Sequence, residues 1–190
     1  FKKLLADADI LLHGYRADAL EELGFGVEEC AALRPGLIDV SLNAYGWTGP
    51  WRNRRGFDSL VQMSSGIAAA GQRWQESDKP VPLPVQALDH ATGYLMAATA
   101  IRGLTKRLHT HQGYQAKLSL ARTAQWLLET GEQSQTSAFA PETRDDCAEA
   151  IEQTDWGPAL RLRPPVLIDA APMSWSRPAS RLGSAAASWE

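Results

Sequence analysis

The stretch Leu33-Arg34-Pro35-Gly36-Leu37-Ile38-Asp39-Val40-Ser41-Leu42 decides the fold. Arg34-Pro35-Gly36 stops the helical residues before it, because proline cannot continue a helix and glycine accepts the turn that follows. Ile38, Val40 and Leu42 then alternate with Asp39 and Ser41, the period of two that a strand imposes on its side chains. Working outward, a short apolar run over residues 9–12 ends at His13-Gly14. Helical residues over 17–23 stop at Gly24, and a second helical piece spans 27–33. Far downstream, Tyr114, Ala116, Leu118 and Leu120 alternate with Gln115, Lys117 and Ser119 as a further strand. Strands separated by helical segments imply parallel strands joined by crossovers, so the expected class is α/β with a partial open parallel sheet and crossover helices.

Residues 57–70 suggest one helix, and 71–88 a loop rich in proline and polar residues. A long central helix is expected to begin near Asp89. Its apolar positions Ala91, Tyr94, Leu95, Ala98, Ile101, Leu104 and Leu108 follow the three-and-four spacing of a buried stripe. Gly93, Ala97 and Ala100 are small enough to admit another helix, and Gly113 closes the element. A helix through Trp126 and Leu128 is expected next. Beyond Thr130 the pattern weakens: 131–150 is polar and acidic, 159–168 has strand character, and the end, rich in Ala, Ser, Pro and Arg, reads as a poorly structured tail. This divides the chain into residues 1–130 and 131–190. The chain opens on Phe1, in a lysine-containing stretch that reads as the end of a helix whose beginning is missing.

Composition bounds the function. The chain is 44% hydrophobic and 22% charged, which suits a globular core. A formal charge of -3 argues against nucleic acid or an anionic membrane as partner, since both are bound through excess Lys and Arg. Cys30 and Cys147 form no CxxC pair and read as free thiols of a reducing compartment, and no apolar run approaches the roughly eighteen residues of a membrane span. The expected location is cytoplasmic.

In open α/β sheets, sites sit beyond the carboxyl ends of the strands. Two loops occupy that position: His13-Gly14-Tyr15-Arg16, and residues 43–57 with Tyr45-Gly46-Trp47-Thr48-Gly49-Pro50-Trp51 followed by Arg52, Arg54, Arg55, Gly56, Phe57 and Asp58. Glycines allow a backbone to approach a ligand closely, and arginines bind phosphates through paired N–H donors. The same composition also describes an ordinary solvent-exposed loop. Asp89, where the Pro-rich loop meets the long helix, reads as an N-cap worth about 1 kcal/mol. That environment also keeps a carboxylate ionised and fixed in direction, as covalent catalysis through an acyl anhydride requires. His90 points elsewhere than Asp89 on a helix, and His109 with His111 lacks a third metal ligand nearby, so a solvated helix end is preferred and no metal is expected.

These residues, in order, resemble class III CoA-transferases. The likeness runs through Ala8-Asp9-Ile10-Leu11-Leu12, Gly14-Tyr15-Arg16, Leu33-Arg34-Pro35-Gly36-Leu37-Ile38, Tyr45-Gly46 and Thr48-Gly49-Pro50. It continues through Gly56-Phe57-Asp58, Gln62, Ser65-Gly66, Leu88-Asp89, Gly93, Gly113 and Leu118-Ser119-Leu120, covering residues 4–130. The resemblance implies transfer of CoA from an acyl-CoA to a carboxylic acid, with acyl-CoA as substrate and no covalently bound cofactor. It implies that Asp89 is the nucleophile that forms a mixed anhydride and then an aspartyl thioester. Gly14, Tyr15, Arg16, Tyr45, Gly46, Arg55, Gly56, Phe57 and Asp58 are implied to line the CoA site. In that family the racemase branch carries His where Phe57 stands, so racemisation is disfavoured. Ala17-Asp18 replaces the Pro-Gly of the family's loop. The resemblance also implies an interlocked homodimer of two-domain chains, of which residues 1–130 would be part of the large domain and 131–190 a remnant of the small one. The competing readings are a truncated, non-catalytic relative that keeps the fold and dimerises, and, least favoured at net negative charge, nucleic-acid binding through Arg52, Arg54 and Arg55.

Overall fold

The computed structural model describes residues 1–131 and 140–189 and divides into two compact units, Phe1–Gln133 and Ser134–Glu190. In the first, three strands, β1 (Ile10–His13), β2 (Ile38–Asn43) and β3 (Tyr114–Ser119), form a sheet in the order β1-β2-β3, parallel throughout. The crossover from β1 to β2 carries α2 (Ala19–Glu22) and α3 (Val27–Leu33), preceded by α1 (Lys2–Ala6). The crossover from β2 to β3 carries α4 (Asp58–Ser64), α5 (Ile67–Trp74) and the long α6 (Ala87–Thr110), and α7 (Leu120–Glu129) follows β3 directly. The α/β class with a partial parallel sheet and a long central helix is therefore as the patterning implied.

The central strand organises the core. Ile38 and Val40, both 0% exposed, face α6 and pack with Ala100, Met96 and Leu104 and with Ile10, Tyr114 and Ala116 of the flanking strands. Gly103 makes this approach possible: a Cβ there would lie 2.7 Å from Ile38 Cγ2 and 2.9 Å from Tyr114 Cδ1. At the far end of α6, Arg107 donates from Nη1 to the Gly36 carbonyl at 2.9 Å and from Nη2 to Asp9 at 2.8 Å. The carboxyl end of the helix is thereby tied to the beginnings of β1 and β2, and its amino end lies toward the strands' carboxyl ends. There a second cluster joins Ala44, Val61, Ile67, Leu88, Leu120 and Ala124.

Three expectations are corrected. The single helix over 57–70 is two helices, broken at Ser65-Gly66 because Gly66 takes a left-handed conformation, φ +97°, that ends one helix and starts the next. The long helix begins at Ala87, near Asp89 as expected. Its expected apolar stripe is only partly buried: Ala91, Leu95 and Leu104 are half-buried, but Tyr94, Ile101 and Leu108 are 50%, 65% and 76% exposed, and the fully buried positions are Leu88, Thr92, Ala100 and Gly103. The seat at Gly103 leaves no room for a Cβ against Ile38 and Tyr114, while Met96 and Leu104 pack around it. Gly93 and Ala97 are exposed, and Ala100 meets the sheet rather than a helix.

In the second unit a short 3-10 turn, Arg144–Asp146, leads into an antiparallel hairpin of β4 (Cys147–Thr154) and β5 (Gly157–Leu162). Strand β4 falls partly in the stretch read as polar and acidic; its acidic residues Glu149 and Glu152 mask the alternation. From 163 to 189 the residues form turns and bends without helix or strand. Among the described residues no helix is long and apolar enough to cross a membrane.

Gly103→Ala is expected to destabilise the protein by about 1–2 kcal/mol, because overpacking against two buried strands outweighs the helix propensity gained. Gly93→Ala, with nothing within 4 Å of its Cβ, is expected to stabilise by about 0.5–1 kcal/mol. Urea unfolding of both variants checks the pair.

Candidate active site

Parallel strands bring the loops after β1 and β2 to one edge of the sheet, where α6 also begins. The loop after β2 is built from its own side chains. Asn43 closes a turn by donating from Nδ2 to the Gly46 carbonyl at 2.8 Å and accepting from the Gly46 N–H at 2.6 Å, with Gly46 at φ +87°. The Tyr45 hydroxyl hydrogen-bonds Ser64 Oγ at 3.1 Å, and its ring meets Trp51 edge-on at 5.1 Å. Arg54 lies over the Trp51 ring at 4.4 Å. Gly56 is where the returning chain touches this cluster, since a Cβ there would come within 2.8 Å of Ala44 Cβ and 3.0 Å of the Tyr45 ring. Arg55 is exposed, and Phe57, 82% exposed, projects to solvent.

Asp89 is not the N-cap. That position belongs to Gln86, whose side chain makes no capping bond, and Asp89 is the third residue of α6. The capping acceptor comes from outside the helix: Asp58 Oδ2 accepts from the Asp89 N–H at 2.8 Å. Asp58 is 1% exposed and its other oxygen accepts from Gln62 Nε2, so its carboxylate faces protein. The Asp89 side chain itself is exposed. Partial desolvation, then the neighbouring Asp58 charge, push its carboxyl above the ordinary carboxylate range, against the opposing pull of His90. Beside this first turn lies an apolar cavity of about 280 Å³ lined by Ala87, Leu88, Ala91, Thr123, Trp126, Leu127 and Thr130.

The loop after β1 has a different character. Tyr15, 60% exposed, stacks with His13 at 6.1 Å between ring centres. Arg16 faces two carboxylates, Asp18 at 3.8 Å and Glu22 at 3.7 Å. Beyond Gly14, the loops after β1 and β2, α2 and β3 line an open polar pocket of about 280 Å³ formed by Ala17, Asp18, Glu21, Trp47, Arg52, Asn53 and Lys117. Trp47 Nε1 and Asp18 Oδ1 are buried there without a hydrogen-bond partner among the described residues, and the Lys117 ammonium lies 5.2 Å from the Trp47 ring centre. Beneath, on the sheet face away from α6, His13 Nε2 and Asp39 Oδ1 stand 3.9 Å apart. Burial pushes the His13 pKa down and the Asp39 pKa up.

Contacts thus join Gly56 to Tyr45, Gly46 to Asn43, and Asp58 to Asp89 as separate pairs, while Gly14, Tyr15 and Arg16 lead into the polar pocket at Ala17 and Asp18. Sequence reasoning did not single out Lys117, which is legible only as a polar position on an alternating strand. Nor did it assign a role to Gln62, whose partners are the Asp58 carboxylate and two backbone groups far along the chain.

CoA-transferase family III matches residues 1–154, and the chain belongs to that family. It is 28% identical over 131 residues to acetyl-coenzyme A transferase nodX of Hypoxylon pulicicidum, covering 67% of this chain and 22% of that protein. It is 36% identical over 104 residues to the probable fatty acyl-CoA transferase Rv3272 of Mycobacterium tuberculosis, covering 54% of this chain and 26% of that one. The crystal structure of Rv3272 in its orthorhombic form superposes with a TM-score of 0.62 at 29% identity, over 68% of this chain and 36% of that one. The chain spans about a quarter of the length of these curated relatives, 22% and 26%.

Because the Asp89 pKa is higher folded than unfolded, its ionisation opposes folding: the contribution is present below 3.8 and lost as pH rises through the folded value. Asp89→Asn is expected to melt above the parent protein at pH 7, the difference closing as pH is lowered below 3.8, as followed by circular dichroism.

Proposed function

We propose that this chain is part of an enzyme that moves CoA from an acyl-CoA donor to a carboxylic acid acceptor, with Asp89 as the covalent nucleophile. The observation that carries the reading is an exposed carboxylate, raised in basicity, in the first turn of the long helix at the loop edge of a family III fold. An Asp89 oxygen attacks the thioester carbonyl, the C–S bond breaks, and CoA leaves as thiolate from a mixed anhydride. The thiolate attacks the aspartyl carbonyl of that anhydride, releasing the donor acid and leaving CoA on Asp89 as a thioester. The acceptor carboxylate then attacks this thioester and frees the thiolate again, which attacks the acceptor's acyl carbon in the new anhydride. The product acyl-CoA departs and Asp89 returns as carboxylate. Each step trades one activated acyl group for another, so no step climbs far.

In this reading Gly14, Tyr15 and Arg16 meet the CoA phosphates or pantetheine, and Tyr45, Gly46, Arg55, Gly56 and Phe57 line the acyl-CoA site. Asp58 enters through the turn it caps. Arg52 and Lys117 add positive charge to the polar pocket between the two loops. Phe57 cannot titrate, so the position offers no second acid/base for moving an α-proton, which favours transfer over racemisation. The proposal extends to a cytoplasmic homodimer, with residues 1–130 in the large domain and 131–190 from the small one. Free thiols at Cys30 and Cys147 support the compartment, and the exposed Tyr94, Ile101 and Leu108 on α6 support the dimer.

A second reading, a non-catalytic relative that keeps the fold, is favoured by one observation: both charged neighbours of Arg16 are carboxylates, which compete with a phosphate.

Incubation with an acyl-CoA and hydroxylamine is expected to convert the activated Asp89 carboxyl to its hydroxamate in the parent protein, with release of the acid or CoA, and to leave position 89 of Asp89→Asn unmodified; equal absence in both sinks the catalytic reading. By calorimetric titration with CoA, Arg16→Ala is expected to weaken binding about tenfold. Removing one competitor, as in Glu22→Gln, is expected to tighten it by up to about fivefold.

A further inference from the structure

Gln62 lies in the middle of α4, 2% exposed, one helical turn from Asp58 and surrounded by the apolar cluster of Val61, Ile67 and Leu88. A buried amide in such a place destabilises the fold unless its donors and acceptor are used. Here they are spent on one target. Gln62 Oε1 accepts from the Leu83 N–H at 2.7 Å, Nε2 donates to the Val85 carbonyl at 3.1 Å, and Nε2 also donates to Asp58 Oδ1. Asp58 Oδ2 then accepts from the Asp89 N–H at 2.8 Å. Two buried side chains one turn apart therefore grip the backbone of the strap over residues 83–89 at three points. The grip ends on the residue whose side chain the proposed chemistry uses, and none of these bonds touches the Asp89 carboxylate.

We infer that Gln62, acting through Asp58, is a positioning residue that latches the strap over 83–89 to α4 and so sets the first turn of α6 and the direction of Asp89. The latch supplies the cap that Gln86 does not, and it does so from a separate element, so the start of α6 cannot shift register without breaking all three contacts. An apolar residue at 62 would suit the surrounding cluster but would leave the Leu83 and Val85 backbone groups unpaired and Asp58 free to rotate. The groups facing Asp89 are Asp58 from α4 and His90 on its own helix; α7 meets α6 through the hydroxyl pair Thr92–Thr123 at 2.7 Å. The role in catalysis rests on the reading of Asp89 as nucleophile.

The test uses the full chain with Gln62→Met and Asp58→Asn. Amide hydrogen exchange and titration of the Asp89 carboxyl by carbon NMR report the latch, and hydroxylamine trapping with an acyl-CoA reports the chemistry. In Gln62→Met, exchange at Leu83 and Asp89 is expected to quicken about tenfold or more relative to Val40 in the central strand. The Asp89 titration midpoint is expected to fall as Asp58 loosens, and trapping to slow by about 10- to 100-fold. Asp58→Asn can keep its oxygen for the Asp89 amide only by turning its NH2 toward Gln62 Nε2, donor against donor, so the link from Gln62 is lost while the Gln62 bonds to Leu83 and Val85 stay. There exchange at Asp89 is expected to quicken while that at Leu83 holds, and the midpoint to fall; unchanged exchange at Asp89 overturns the inference, which decides the matter should Gln62→Met fail to fold. Unchanged exchange and titration in a folded Gln62→Met, or unchanged trapping with broken exchange, overturns the inference. Absence of trapping in the parent protein overturns the nucleophile instead, and is distinguished by an exchange pattern that still shows the latch.

Discussion

The close seat of α6 on the central strand is the constraint on which the rest depends. Gly103 against Ile38 and Tyr114, with Ala100 beside it, lets the helix axis approach the sheet as a larger residue would not. Arg107 fixes the carboxyl end of the same helix to the starts of β1 and β2. A helix of 24 residues extends about 36 Å, so once its far end and middle are fixed, its amino end is carried to the opposite edge of the sheet. That edge is where the loops after β1 and β2 emerge. Asp89 reaches the site because packing 14 residues further along the helix, at Gly103, determines where α6 begins.

Rigid placement of the helix does not by itself orient its first turn, since helix ends fray where their backbone groups lack partners. Several of the buried polar residues lie where that matters. Asp58 and Gln62 are buried at the start of α6, and Thr92 and Thr123 pair between α6 and α7 just beyond it. Each such group costs stability compared with an apolar core, and the carboxylate beside Asp89 raises the cost by like-charge repulsion. Partial desolvation first, and that repulsion second, keep the Asp89 oxygen basic. Stability and the basicity of Asp89 are thus set against each other at one turn, a pattern frequent at functional sites.

How much of this could be read beforehand depends on whether a residue's partner is local. Alternation in β2 and β3, and the stops at Gly24 and Arg34-Pro35-Gly36, are local signals, and they predicted the strands and the span Val27–Leu33 of α3. The face of α6 was misread in part because burial there does not follow apolarity alone: Gly103 and Thr92 carry no hydrophobic signal, while Tyr94 and Ile101 do. The break at Gly66 was hidden because the residues on both sides are helical in character. Asp89 was legible as the charged residue at a helix start, but its capping partner was not, since Asp58 lies 31 residues away. The same holds for Gln62, whose bonds to Leu83 and Val85 cross 21 and 23 residues.

The acidic setting of Arg16 bears on whether this edge can hold a phosphorylated cofactor at all. Glu22 and Asp18 lie 3.7 and 3.8 Å from its guanidinium, with side chains 63% and 25% exposed. Pairs of that kind are worth about 0.2–1 kcal/mol each, because water screens them and two side chains must be held still. A phosphate bound in paired fashion by a guanidinium is worth roughly 1.5–3 kcal/mol and places more charge on acceptors of fixed geometry. On the proposed reading of Arg16 a phosphate outcompetes the carboxylates, which reduce affinity without abolishing it. They also hold Arg16 near the loop in the absence of ligand, so less side-chain freedom is lost on binding. The balance favours an enzyme whose grip on its cofactor is moderated over a relative that has lost it.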